Sequence, residues 1–100
     1  KFDLIVSNPP YIPYENYVKL QPEVSKYEPR EALTDGDKGL TFYRRFADIF
    51  PELLQTGGIF FLEMDNGQAD DLSELFGKIG YNLSIIKDLA GYKRVAYGLT

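Results

Sequence analysis

The sequence predicts an α/β fold in which a parallel sheet is finished by an antiparallel hairpin, and three observations predict it. The short apolar runs Leu4-Ile5-Val6 and Ile59-Phe60-Phe61-Leu62 read as buried strands. Apolar stripes at helical spacing lie between and after them. The final residues Leu83, Ile85, Val95, Tyr97 and Leu99 alternate with period two around Ala90-Gly91-Tyr92, the pattern of an antiparallel pair. In open sheets of this kind ligands sit beyond the carboxyl ends of the strands, so Asn8 and Glu63, which end the two apolar runs, are site candidates at once.

Taken in order, the run Phe2 to Val6 stops at Ser7-Asn8-Pro9, because proline removes a ladder donor, and a strand so apolar is expected to be buried between neighbours. From Tyr11 to Lys38 there is no clear period, and five of the six prolines lie at or before Pro29, so this stretch is expected to be a long functional loop. Tyr14, Tyr17 and Tyr27 would order it. Tyr43, Phe46, Ala47, Phe50 and Leu54 then predict a helix kinked or restarted at Pro51 and ended by Gly57-Gly58. After the strand Ile59–Leu62, the residues Ala69, Leu72, Phe76 and Ile79 predict a second helix closed by Gly80. Phe46, Phe50, Phe76 and Ile79 are expected in the core.

The 100 residues suit a single domain, and 44% hydrophobic content with 26% charge of mixed sign is that of a folding chain. With no cysteine and no histidine, these residues offer no thiolate or imidazole zinc site, no disulfide and no histidine-based triad. A net charge of −4 argues against a nucleic-acid footprint, so nucleic acid is not expected as a partner. No apolar run is long enough to span a membrane and no leader pattern is present, which makes the cytoplasm the expected compartment. The triplet Asn82-Leu83-Ser84 matches a glycosylation acceptor, but nothing else in the chain suits a secreted protein.

The strongest chemical signal is Asn8-Pro9-Pro10-Tyr11. An amide or aromatic amine nitrogen is a poor nucleophile because its lone pair is delocalised. Alkylating it requires acceptors that hold its N–H groups and favour a tetrahedral nitrogen. The Asn8 side-chain oxygen and the Pro9 carbonyl can supply two such acceptors, Pro9 and Pro10 stiffen the loop and remove competing donors, and Tyr11 can stack on a planar amide or base. An ordinary Asn-Pro turn is the plain alternative. Placement directly after a buried strand favours the catalytic reading, because that is where the chemistry needs the loop.

These residues resemble the protein-(glutamine) methyltransferases of peptide chain release factors, the HemK/PrmC family. The resemblance rests on Phe2 to Ile12, on Tyr27-Glu28-Pro29-Arg30-Glu31-Ala32-Leu33, on Gly39-Leu40 with Tyr43-Arg44, and on Lys87-Asp88-Leu89-Ala90-Gly91 followed by Arg94. It covers nearly the whole chain. It implies the carboxy-terminal half of a class I, Rossmann-like S-adenosylmethionine-dependent methyltransferase sheet. Residues 1–100 would then be the later portion of a catalytic domain whose cofactor-binding first half, with its glycine-rich turn, is absent. Alone, such a piece is expected neither to hold the methyl donor tightly nor to turn over, and to self-associate through the exposed edge of its first strand. The implied substrate is the glutamine of the Gly-Gly-Gln loop in class 1 release factors. Asn8, Pro9, Pro10 and Tyr11 would be catalytic and substrate-binding, Asn8 would also touch the cofactor, and no metal is implied.

Two positions depart from the family pattern: Lys38 stands where Asp is usual, and Asp65 where Gly is usual, with Gly67 a candidate to compensate. Glu28 and Arg30 are candidates to hold the substrate loop, against a simple ion pair flanking Pro29. Glu63 either orders the catalytic loop or caps the following helix. Arg94 is read as a surface strand residue. Two rival functions remain at this level, a nucleic-acid amino methyltransferase acting on a flipped base and a non-catalytic peptide-binding module.

Overall fold

The structure, a computed structural model, describes residues 1–12 and 39–99. The segment containing Tyr14, Tyr17, Tyr27, Glu28, Arg30 and Lys38 lies outside the described residues. Among those described, the order is β1 (Phe2–Ser7), α1 (Thr41–Leu53), β2 (Leu54–Glu63), a 3-10 turn (Asn66–Gln68), α2 (Ala69–Gly77), β3 (Leu83–Lys87) and β4 (Lys93–Leu99). The strands form one sheet in the order β1-β2-β4-β3, with β1 and β2 parallel and the other two pairs antiparallel. The expected α/β sheet with an antiparallel finish is the one that forms.

Helix α1 buries Tyr43, Ala47 and Phe50, one stripe at spacings of four and three. It does not run on to Gly57-Gly58. Pro51 withholds the N–H that Ala47 would accept, the helix ends two residues later, and the Leu54 N–H donates to the Phe50 carbonyl as a cap. Strand β2 therefore starts at Leu54 and spans 10 residues. Gly57-Gly58 falls inside it, where the register with β1 jumps from Phe2↔Leu54 to Leu4↔Ile59.

The core lies between one face of the sheet and both helices. Phe60 is its centre: its ring is 5.0 Å from Phe50, 5.2 Å from Phe76 and 5.5 Å from Tyr81, all tilted contacts of the favourable kind. Leu62, Met64, Leu72 and Ala96 complete it. Phe46 is half-buried, stacked on Phe50 at 5.2 Å. Ile79 departs from the expected stripe and is exposed, because α2 ends at Gly77 and Tyr81 takes the inward place.

The other face of the sheet is apolar too. In β4 the buried residues are Ala96 and Gly98, while Val95 and Tyr97 are half-buried and Leu99 is exposed. The small residues face the helices because Phe60 fills that space: a Cβ on Gly98 would lie 2.7 Å from its ring. Strand β1 is likewise exposed rather than buried, with Leu4 at 53% and Val6 at 69%. It forms one edge of the described sheet, and the helices cover only the face that carries Ile5.

Candidate active site

Parallel pairing brings the two predicted site positions together. Ser7 pairs with Leu62 at the last rung of the β1–β2 ladder, so Asn8 and Glu63 leave the sheet side by side at its carboxyl end. Beyond that rung Pro9 is buried, Pro10 and Tyr11 are half-buried and Asn8 stays exposed. A proline pair directly after the strand fixes two φ angles, and the loop turns back over the sheet end instead of extending β1.

Two contacts fasten the loop. The Tyr11 hydroxyl donates to Oε1 of Glu63 at 2.8 Å, and the Tyr11 carbonyl accepts from Nε2 of Gln68 at 2.8 Å. Glu63 is itself held, since its carbonyl accepts the Tyr43 hydroxyl from α1. The next residue, Met64, donates its N–H to the Arg94 carbonyl at 2.8 Å, which joins β4 to the same corner. Of the two readings for Glu63, the structure shows the contact with the loop. The N-cap position belongs to Asp65, whose N–H donates to Oε1 of Gln68 three residues on at 2.9 Å, one half of a capping box. Asp65 sits in ordinary extended backbone with φ −83°, and Gly67 is not among the positive-φ glycines, so the turn needs no glycine to compensate.

Burial, and then the neighbouring Glu63 carboxylate, push the Tyr11 phenol far above its ordinary range. Burial does the same for Tyr43. Both therefore act as neutral hydrogen-bond donors at neutral pH.

Arg94 is a surface residue of β4, as the sequence suggests, and it is paired there. Its Nε donates to Oδ2 of Asp88 at 3.1 Å, and its guanidinium lies over the Tyr92 ring at 5.5 Å. Oδ1 of Asp88 accepts the N–H groups of Ala90 and Tyr92, each at 2.9 Å, and so shapes the β3–β4 turn. These donors, the Tyr92 N–H first and Arg94 after it, hold the Asp88 carboxyl below its usual range. Lys93 donates its N–H to Oδ1 of Asn66 at 2.8 Å, docking the hairpin beside the β2–α2 turn.

Asn8, Pro9, Pro10, Tyr11 and Glu63 are thus brought to one corner, with Tyr43 and Gln68 behind them. Gln68 is not singled out by the sequence reading, although Asp65 and Gln68 stand at capping-box spacing. Gly39 enters the sequence reading only through the resemblance, and its reason is geometric: with φ +83°, a Cβ there would lie 2.0 Å from the Tyr11 carbonyl oxygen.

A parallel strand pair that ends in this loop and is closed on its far side by an antiparallel hairpin is the α/β fold of the class I methyltransferases. A methyltransferase from Pyrococcus furiosus, 21% identical, shares it with a TM-score of 0.65 over 98% of this chain and 40% of its own. The release-factor-specific protein-(glutamine-N5) methyltransferase from Alicyclobacillus acidocaldarius superposes with a TM-score of 0.60 at 34% identity, over 97% of this chain and 47% of that one. No family model matches the chain. In sequence it is 46% identical over 98% of its length to the release factor glutamine methyltransferase of Geobacter sulfurreducens, and 45% over 95% to that of Fusobacterium nucleatum. It spans 35% and 27% of the lengths of those two relatives. Over nearly its whole length the chain is similar to release factor glutamine methyltransferases.

Proposed function

We propose that the intact protein transfers a methyl group from S-adenosylmethionine to the side-chain amide nitrogen of a glutamine in a peptide chain release factor, the glutamine of its Gly-Gly-Gln loop, in the cytoplasm. The observation that carries the reading is the anchored loop. Tyr11 is tied to Glu63 at 2.8 Å, while Asn8 stays exposed at the carboxyl end of β1. That arrangement suits an amide substrate whose N–H groups are taken by the Asn8 side-chain oxygen and the Pro9 carbonyl. The lone pair that develops as the nitrogen becomes tetrahedral is then free for the methyl group. Oriented carbonyl dipoles stabilise the growing positive charge, and the proton that the methylated nitrogen sheds passes to water as the neutral thioether leaves.

S-adenosylmethionine supplies an electrophilic methyl group. The residues present fit the amide-holding side of that reaction, with Asn8 exposed and able to meet both amide and donor. Glu28 and Arg30, outside the described residues, are proposed to hold the substrate loop. Described helices long and apolar enough to cross a membrane are absent.

The test is incubation of the intact protein with labelled S-adenosylmethionine and either a class 1 release factor or DNA. Label on the glutamine of the release factor is the expected result. Label on adenine and none on protein would transfer the chain to the nucleic-acid amino methyltransferases, and label on neither would leave a peptide-binding module.

A further inference from the structure

We propose that Gln68 is a positioning residue of the catalytic loop, holding the main chain of Tyr11 through its side-chain amide. The proposal rests on the methyl-transfer reading above. Gln68 is the buried polar side chain of the described core, 3% exposed, and a primary amide is tolerated there only when its donors and acceptor are used. They are. Oε1 accepts the Asp65 N–H at 2.9 Å, and Nε2 donates to the carbonyls of Tyr11 at 2.8 Å and of Gly39 at 3.3 Å.

A capping residue would need only the first of these contacts. The two made by Nε2 reach residues 57 and 29 positions away in sequence and fall on the chain at either side of residues 13–38. All of the partners are backbone groups, so the amide fixes the path of the chain. Tyr11 is then gripped twice, at its hydroxyl by Glu63 and at its carbonyl by Gln68. With the φ angles of Pro9 and Pro10 locked, little freedom is left between that grip and Asn8. The close fit of Gly39 supports this: a Cβ there would lie 2.6 Å from Nε2 of Gln68 as well as against the Tyr11 carbonyl. The clasp closes around a residue without a side chain.

Two substitutions in the intact protein separate positioning from capping. Gln68→Met removes every contact, and it is expected to lower kcat about tenfold or more while leaving KM for S-adenosylmethionine near the wild-type value. Gln68→Glu keeps an acceptor for Asp65. Its carboxyl can donate to the Tyr11 carbonyl only when protonated, and burial raises its pKa. Its kcat should therefore recover towards wild type as pH falls, a limb that neither wild type nor Gln68→Met shows. Unchanged kcat in Gln68→Met, or a Gln68→Glu profile parallel to wild type, overturns the proposal.

If both variants misfold, exchange of the Gln68 side-chain amide protons in the wild-type intact protein decides, by nuclear magnetic resonance. Slow exchange supports the clasp, and exchange at the rate of a free amide overturns it. A wild type that methylates no release factor sinks the methylation reading, whereas the exchange measurement still decides the clasp.

Discussion

The Tyr11 hydroxyl donates to Oε1 of Glu63 at 2.8 Å, which joins the loop after β1 to the end of β2 across 52 positions of sequence. A hydrogen bond to a carboxylate is worth more than a neutral one, but this pair is only half-buried, so about 1 kcal/mol of coupling is expected. Tyr11→Phe, Glu63→Ala and the double variant, compared by denaturant unfolding of the intact protein, measure it. Additive single effects would mean that the contact contributes nothing.

Asn8→Ala should lower kcat far more than it weakens donor binding, because the acceptor acts mainly as the nitrogen becomes tetrahedral. The loss of one such interaction costs ~3 kcal/mol, roughly a hundredfold in rate. Near-normal turnover on a release factor refutes the role assigned to Asn8.

Phe60→Ala should be among the most damaging core changes. The ring is wholly buried and meets those of Phe50, Phe76 and Tyr81, and Gly98 lies against it, leaving nothing able to fill the hole. A loss of roughly 3–5 kcal/mol follows, read as a lowered denaturation midpoint. A shift near 1 kcal/mol or less would mean that the core collapses freely around the gap.

The β3–β4 turn should loosen in acid. The folded pKa of Asp88 is depressed, so its contribution is present above the unfolded value of 3.8 and is lost as pH falls through the folded one. Protection factors of the Ala90 and Tyr92 amides should drop below about pH 4. Asp88→Asn keeps an acceptor oxygen but no titrating charge, and its protection should stay flat with pH; the same acid drop in that variant would assign the effect elsewhere.

As a free 100-residue polypeptide the chain should self-associate. Strand β1 forms an edge of the described sheet beside exposed Phe2, Leu4 and Val6, and only Asp3 offers a charge to blunt it. Sedimentation at micromolar concentration tests this. A clean monomer with amide protection throughout Leu4 to Val6 would show that the edge is covered some other way.

By itself the sequence determined the element order, the parallel pair with its antiparallel finish, and the place of the Asn8-Pro9-Pro10-Tyr11 loop at the end of the first strand. These follow from local properties: apolar period, the φ restriction of proline, and the donor and acceptor inventory of Asn8-Pro9-Pro10-Tyr11. Tertiary structure alone decided which face of each strand is covered. Val95, Tyr97 and Leu99 alternate as a buried stripe would, yet both faces of β4 are apolar or small, and only the placement of the Phe60 ring selects Ala96 and Gly98 for the inside. The end of α1 is local, set by Pro51 and by the Leu54 N–H that caps the Phe50 carbonyl. The roles of Glu63, Gln68 and Gly39 depend on hydrogen bonds to residues 52, 57 and 29 positions distant, and periodicity carries no information over such separations. Parallel pairing of β1 with β2 supplies it, because two strands that run the same way deliver both of their carboxyl ends to one place.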